Sequence, residues 1–150
     1  MANAMISSDA RAPALVPATP APPVATLLVV DSEYRARAGL SLLPTIAPRR
    51  FNPRQIPWLP VWHTERDGWQ LTALFSNTLL AHQRGMTRSW VVLYYHRDGE
   101  HGQCTVVTEW HGTLSGRRVV RGREAECSRH YGSAVAVDRD AFCVDQIETG

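Results

Sequence analysis

The stretch Leu59-Pro-Val-Trp-His-Thr-Glu-Arg-Asp-Gly-Trp-Gln-Leu-Thr-Ala-Leu-Phe75 decides the fold, because two alternating strand patterns flank a two-residue turn. Its central pair Asp67-Gly68 is typical of a tight β-hairpin turn. Pairing across this turn places mainly apolar side chains on one face: Trp62, Thr64, Trp69, Leu71, Ala73 and Phe75. The opposite face then carries the polar side chains His63, Glu65, Gln70 and Thr72. The pattern predicts a hairpin with one buried and one polar face, and Pro60 predicts that its strand lies at a sheet edge.

The residues after the hairpin continue as short elements. Ser76-Asn77-Thr78 offers an N-cap and Gly85 a stop for about two turns of helix between them. Patterns typical of strands follow at 90–96, 103–110 and 117–121, and 122–131 is typical of a closing helix. The segment 90–96 is apolar on both faces, as expected of a central strand. The sequence therefore predicts an α+β fold: a small, mainly antiparallel sheet of about five strands with two short helices.

The N-terminal third has a different composition. Residues 1–23 are rich in Ala and Pro and predict a disordered arm. Residues 24–43 indicate a short helix that Asp31 or Ser32 would cap, and the proline-rich segment Pro44–Pro60 must be extended. We expect four parts: the arm 1–23, a short helix and extended basic linker over 24–55, the α+β domain 56–132 and an acidic tail 133–150.

Charge divides along the 150-residue chain, whose sixteen basic residues are all arginine. Residues 1–131 hold fifteen arginines against ten acidic residues (+5), and residues 132–150 hold one against four (−3). A basic body with an acidic tail fits a nucleic-acid partner, although a GC-rich genome also favours arginine over lysine. Three cysteines without a CxxC pair predict reduced thiols in the cytoplasm, and no apolar run is long enough to span a membrane.

The densest group of charges lies in Gly112–Cys127. We call the four arginines that fall there within seven residues the arginine cluster: Arg117, Arg118, Arg121 and Arg123. Guanidinium groups on one strand can bind phosphates in a salt-dependent way that depends little on sequence. In the alternative interpretation, these arginines form a surface network of ion pairs with Glu109, Glu124 and Glu126. A second basic strip, around Phe51, consists of Arg49, Arg50 and Arg54.

Other side chains suggest further sites. The polar hairpin face pairs His63 with Glu65, which can act as a base or as metal ligands, but a solvated sheet face has the same composition. A weak zinc set has two short ligand pairs at His101, Cys104, Cys127 and His130, and the alternative is that both thiols are buried in the core. Seven aromatic residues either stack on unpaired bases or pack in the core: Trp58, Trp62, Trp69, Trp90, Tyr94, Tyr95 and Trp110.

A series of short blocks gives the chain a resemblance to a known group of bacterial proteins. The blocks are Tyr34-Arg-Ala-Arg-Ala38, Ile46-Ala-Pro-Arg-Arg-Phe-Asn-Pro53, Trp58-Leu-Pro60, His63-Thr-Glu-Arg66, Thr72-Ala-Leu-Phe-Ser-Asn-Thr78, Trp90-Val-Val-Leu-Tyr-Tyr95, Gly102-Gln-Cys-Thr-Val-Val-Thr-Glu109 and Gly116-Arg-Arg-Val-Val-Arg-Gly-Arg-Glu-Ala-Glu-Cys127. Together they resemble the C-terminal domain of proteins in which that domain follows a helix-hairpin-helix, DNA polymerase X-like region. The resemblance spans residues 24–131.

This resemblance implies a DNA-associated role linked to DNA repair. It implies DNA as a partner and a helix-hairpin-helix protein as a second partner, and it implies no catalytic residue. The Ala/Pro-rich arm stands where the helix-hairpin-helix region would end. The polymerase X nucleotidyltransferase motif, with its metal-binding aspartates, is missing from the sequence. We therefore expect no polymerase activity.

Three functions follow from the residues and the resemblance. The first is a DNA-binding accessory domain that holds phosphates with the arginine cluster, helped by Arg49, Arg50 and Arg54. The second is a nucleic-acid- or nucleotide-processing enzyme that uses His63, Glu65, Glu109 or Glu124. The third is a protein-interaction module that presents its sheet edge to a helix-hairpin-helix partner. The sequence carries no Walker loop, GxGxxG, GxSxG or HExxH motif, so binding is favoured over catalysis and no cofactor is predicted.

Overall fold

The computed structural model of the protein describes residues 20–132. The predicted acidic tail and residues 1–19 of the predicted arm lie outside this range. The last four residues of the arm are described, and Pro22 is buried at the start of the fold. Its carbonyl oxygen accepts a hydrogen bond of 2.7 Å from Nη1 of Arg123. The ordered part of the chain therefore begins earlier than the composition predicts.

The described residues form one six-stranded antiparallel sheet with helices, which confirms the predicted α+β fold. The elements in chain order are α1 Val24–Gly39, β1 Thr45–Ile46, β2 Leu59–Arg66, β3 Trp69–Phe75, α2 Leu79–Gln83, β4 Val91–Arg97, β5 Glu100–Thr108, a 3-10 turn Gly112–Leu114, β6 Arg118–Val120 and α3 over 124–132. The strands lie in the order β1-β2-β3-β4-β5-β6. None of the described helices is long and apolar enough to cross a membrane.

The hairpin forms as predicted, with Arg66 opposite Trp69 and a turn at Asp67-Gly68. Both turn residues have positive φ angles of 55° and 81°, as a tight hairpin turn requires. The predicted position of Pro60 at the edge is wrong, because β1 pairs with β2 and Thr45 lies opposite Pro60. A two-residue strand inside a proline-rich segment has no periodicity that would reveal it.

The segment after β1 is not extended throughout, which corrects the prediction for Pro44–Pro60. It turns back on itself, and Phe51 and Gln55 both adopt left-handed φ angles, of 54° and 52°. Prolines fix their own φ angles but leave the residues between them free to turn. The segment therefore forms a folded loop.

Helix α1 begins at Val24, directly after Pro23, and no side chain in the described part of the chain caps it. The predicted cap at Asp31 or Ser32 is wrong, since Asp31 lies in the middle of the helix and is fully buried. Burial of apolar side chains stabilises the first turns in place of a cap, and they share one stripe with Asp31: Val24, Leu27, Leu28, Val30 and Tyr34. The helix shares its core with the sheet, so the predicted boundary near residue 56 does not coincide with a break in packing.

A buried ion pair joins α1 to the last strand. Nη2 of Arg118 lies 2.8 Å from Oδ1 of Asp31, and its Nε lies 3.1 Å from Oδ2. The same guanidinium donates to Oγ1 of Thr108 and to the carbonyl oxygen of Val106. Arg35, one turn along the helix, completes the set at 3.0 Å from Oδ2 of Asp31. The buried carboxylate therefore receives a bidentate pair and a second cation.

The hydroxyl of Tyr34 makes a second polar link between the helix and the sheet. It donates to the carbonyl oxygen of Pro60 at 2.7 Å and accepts from the backbone N–H of Phe75 at 3.0 Å. Burial raises the pKa of this hydroxyl, so it keeps its proton. The bonds fix the helix over β2 and β3.

We expect Asp31→Asn to lower the free energy of unfolding by about 3 kcal/mol, because the variant leaves the Arg118 guanidinium buried without a counter-charge. Urea denaturation measures the change. Arg35→Gln is the matched control, since Arg35 contacts the same carboxylate from a side chain that is 37% exposed. The control should cost less than about 1 kcal/mol. Equal losses in the two variants would contradict this account of the buried pair.

A second prediction concerns Gly102 in β5. A Cβ atom at this position would lie 2.8 Å from the hydroxyl and 2.9 Å from Cζ of Tyr95, whose ring packs on Trp69. We therefore expect Gly102→Ala to destabilise the fold by about 1–3 kcal/mol through overpacking. In Gly39→Ala, no described atom outside the neighbouring helix backbone lies within 4 Å of the added methyl group, so its thermal midpoint should equal or exceed that of the wild type. A Gly102→Ala midpoint at the wild-type value would refute the steric argument.

Candidate functional site

The structure ties most of the arginine cluster to acidic partners. Arg118 is committed to the buried Asp31, as described above. The other two paired members use the glutamates of the predicted network, with Arg121 at 2.8 Å from Glu109 and 3.3 Å from Glu124, and Arg123 at 2.7 Å from Glu126. The ion-pair alternative for this cluster is therefore the arrangement that the structure contains.

These ion pairs also lower the pKa values of two of the glutamates. The hydrogen bond from Arg121 lowers the pKa of Glu109, and the hydrogen bond from Arg123 lowers the pKa of Glu126. Arg117 is the remaining member of the cluster, and its guanidinium lies 4.9 Å from the ring centroid of Tyr131. The four arginines therefore do not converge on a common open space.

The polar hairpin face lies together as predicted and is half of a larger surface. Nδ1 of His63 is 2.9 Å from Oγ1 of Thr72, and Glu65 lies opposite Gln70. The hairpin face consists of two cross-strand rows, His63–Thr72 and Glu65–Gln70, and strands β4 and β5 extend both of them. We call the resulting surface the outer face, and it consists of His63, Glu65, Gln70, Thr72, Tyr94, His96, His101 and Gln103. All of these residues are exposed except the half-buried Thr72.

The sequence prediction missed the β4–β5 half of the outer face because it treated residues 90–96 as apolar on both sides. The signal was present, since Tyr94 and His96 alternate with the fully buried Val91 and Leu93. Helix α1 covers the face that contains Leu93, which leaves Tyr94 on the other side.

The second basic strip lies on the loop 47–57, which we call the arginine loop. Its three arginines, Arg49, Arg50 and Arg54, are exposed. No acidic residue within 20–132 forms an ion pair with any of them, in contrast to the three paired members of the cluster. Arg50 lies over the ring of Phe51 at 5.1 Å from its centroid.

Asn52 holds the arginine loop in shape. Its side-chain amide donates to the carbonyl oxygens of Pro48 and Ile56, both at 3.0 Å. Its side-chain oxygen accepts from the backbone N–H of Ile56, also at 3.0 Å. Asn52 is 8% exposed, so these three bonds are largely shielded from water. One side chain therefore closes the loop across its base.

Two contacts fix the arginine loop to α2 and to Asn77, which precedes that helix. Asn77 donates to the carbonyl oxygen of Arg50 at 3.1 Å, and its own side-chain oxygen lies 2.7 Å from Nε2 of His82. The rings of Phe51 and His82 pack at 4.6 Å between centroids. These contacts hold the loop beside the sheet.

A groove separates the arginine loop from the outer face. Pro48, Arg49 and Arg50 line it on the loop side. The sheet lines it with residues from four strands: Leu59, Leu74, Val92, Tyr94, Gln103 and Thr105. The groove therefore combines a basic wall with a floor that is apolar in the middle and polar toward the outer face.

The weak zinc set does not come together. His101 and Cys104 are three residues apart in β5, so their side chains point to opposite faces of the sheet. Burial raises the pKa of the Cys104 thiol to about 12, and the sulfur of Cys127 accepts a hydrogen bond from the backbone N–H of Val120. His130 packs against Tyr131. Within residues 20–132, no three His, Cys, Asp or Glu side chains are grouped so that they could hold a metal ion.

The aromatic residues divide between the core and the surface. Trp69 is 2% exposed and Tyr95 packs edge-on against it, while Trp62 and Trp58 lie under the guanidinium groups of Arg37 and Arg88. Two of the seven predicted aromatic residues are strongly exposed, Tyr94 at 45% and Trp110 at 64%. Tyr94 is the one that lies on the outer face.

Comparison of the chain with protein-family models, with curated proteins and with solved structures found no match.

We expect Asn52→Asp to loosen the arginine loop while the sheet stays intact. The substitution keeps the size and one acceptor oxygen of Asn52 but places a carboxylate oxygen against two carbonyl oxygens. Hydrogen exchange measured by NMR should become at least about tenfold faster at the Ile56 and Gln55 amides, since a tenfold change corresponds to about 1.4 kcal/mol.

The control is Gln83→Glu, which makes the same chemical change at an exposed side chain of α2. Its exchange rates in the arginine loop should match those of the wild type. Unchanged loop exchange in Asn52→Asp would show that the amide donors of Asn52 do not hold the loop.

Proposed function

We propose that the protein is a DNA-binding accessory domain in which the arginine loop holds the phosphates. One observation carries this proposal: the arginines of the loop have no acidic partner among residues 20–132, whereas Arg118, Arg121 and Arg123 are all paired. A guanidinium that is already bidentate to a carboxylate has fewer donors left for a phosphate. The sequence places two arginine groups on this chain, and the ion pairing favours the loop group as the ligand-binding one.

The rigidity of the arginine loop supports the proposal. Phe51 and Gln55 adopt left-handed backbone angles that cost a non-glycine residue about 1–3 kcal/mol each. The bonds of Asn52 and the contact with α2 offset this cost and fix the backbone on either side of Arg50. A loop that is ordered before binding loses less entropy when it meets a phosphate chain.

The charges near the groove also suit a polyanion. Arg49 and Arg50 line its wall, and no acidic residue within 20–132 lines it. The outer face carries one carboxylate, Glu65, together with three histidines and neutral polar groups. A phosphate chain in the groove therefore meets guanidinium groups and hydrogen-bond donors before it meets a like charge.

The link to DNA repair and the helix-hairpin-helix partner rest on the resemblance described under Sequence analysis and stay predictions. The nucleic-acid-processing enzyme also stays a prediction. Two of the carboxylates it would use, Glu109 and Glu124, are paired with Arg121. The binding function is the one that the arrangement of charges favours.

The proposal is tested with the variant Arg49→Gln/Arg50→Gln/Arg54→Gln. Fluorescence anisotropy of a labelled duplex should show micromolar binding by the wild type and at least about tenfold weaker binding by the triple variant. The slope of log K against log salt should decrease by roughly 2–3, because each lost phosphate contact removes about 0.9 from it.

The matched control removes the same charge around β6 and the closing helix α3, as Arg117→Gln/Arg121→Gln/Arg129→Gln. It leaves Arg118 in place, so the buried pair with Asp31 is kept. We expect its affinity to stay within about threefold of the wild type, since exposed ion pairs add little stability and the loop is untouched. If this control lost more DNA affinity than the loop variant, the phosphate site would be assigned to the arginine cluster instead.

A further inference from the structure

We propose that the outer face binds an unpaired DNA strand and that Tyr94 is the platform on which a base stacks. This inference rests on the proposed function and names the form of DNA that the site takes. It starts from the position of Tyr94, which lies in one of the two rows of the outer face, between Thr72 of β3 and Gln103 of β5. Its side chain is 45% exposed.

The ring of Tyr94 has no stacking partner within residues 20–132. The neighbouring Tyr95 points into the core and packs on Trp69, and Trp62 packs under Arg37, but no described ring or cation packs on Tyr94. Its row neighbours Thr72 and Gln103 are shorter and not aromatic. An aromatic ring that contributes little to the core therefore lies exposed on a polar face.

Tyr94 also lies where two hollows meet. On one side is the groove, whose far wall carries Arg49 and Arg50. On the other side is a second hollow, formed around the β4–β5 turn by Thr72, His96, Gly99, Glu100, His101 and Gly102. A strand that runs from one hollow to the other crosses the ring of Tyr94. Its phosphates can meet the arginine loop while one base lies on the tyrosine.

The geometry selects an unpaired strand over a duplex. In a duplex the flat faces of the bases are stacked inside the helix, so a tyrosine on a sheet cannot reach them. In a single strand the bases can turn outward and stack on an aromatic ring, while side-chain amides bond to their edges. Gln70 and Gln103 on the outer face supply such amides, each with two donors and an acceptor oxygen. Arginine contacts alone would not distinguish the two forms.

The test compares the wild type with Tyr94→Ala in binding to a labelled oligothymidylate of about 15 nucleotides and to a duplex of the same length. The wild type should bind the single strand more tightly. Tyr94→Ala should weaken single-strand binding by roughly tenfold and weaken duplex binding by less than about threefold. Tyr94→Phe, which keeps the ring, should retain wild-type affinity for the single strand.

Trp110→Ala is the control, because this exposed aromatic residue follows β5 and lies outside the outer face. Its affinities should equal those of the wild type.

Equal binding of the single strand and the duplex, with no effect of Tyr94→Ala, would overturn the stacking inference and leave the arginine-loop function standing. A Tyr94-dependent preference for oligouridylate over oligothymidylate would overturn the assignment to DNA. The stacking inference would also be overturned if the loop variant lost binding to both the single strand and the duplex while Tyr94→Ala kept wild-type affinity for both.

Discussion

The ion pair between Asp31 and Arg118 is the constraint on which the rest of the structure depends. It joins residues that are 87 positions apart, so α1 and β6 are fixed directly to each other. Asp31 has no exposed surface, and a buried carboxylate is tolerated only when its charge is matched and its oxygens are bonded. Arg118 and Arg35 meet that requirement together. Helix α1 must therefore lie on one particular face of the sheet.

The position of α1 determines which side chains remain available to a ligand. The covered face contains Leu71, Ala73 and Leu93, which are all almost fully buried. Strand alternation then leaves the polar rows on the opposite side, with Tyr94 among them. The arginine loop follows β1 and lines a groove beside those rows. Because the buried pair fixes α1 on one face of the sheet, the opposite face remains exposed.

Local patterns predicted the elements well, and distant partners explain what they missed. The hairpin depends on the alternation around Asp67-Gly68, and α2 depends on the cap at Thr78, whose hydroxyl accepts from the N–H of Ala81. Both signals lie within a few residues of the structure that they determine. Asp31 has the sequence features of a helix cap, but its partner Arg118 lies 87 residues away on β6 and cannot be identified from neighbouring residues. The glutamate partners of the arginine cluster could be named from the sequence, because Glu124 lies three residues after Arg121 and Glu126 three residues after Arg123.

The two arginine groups differ in what the fold requires of them. Arg118 neutralises a buried charge, so its removal would cost stability whether or not the protein binds anything. The described fold makes no comparable use of the guanidinium groups of Arg49 and Arg54, yet the loop that carries them includes two left-handed non-glycine residues and a buried asparagine. Glycine at those two positions would relieve the backbone strain and would also leave the loop more mobile. A strained but fixed loop is consistent with a requirement for its arginines to stay in place beside the groove, which is what recognition of a phosphate chain demands.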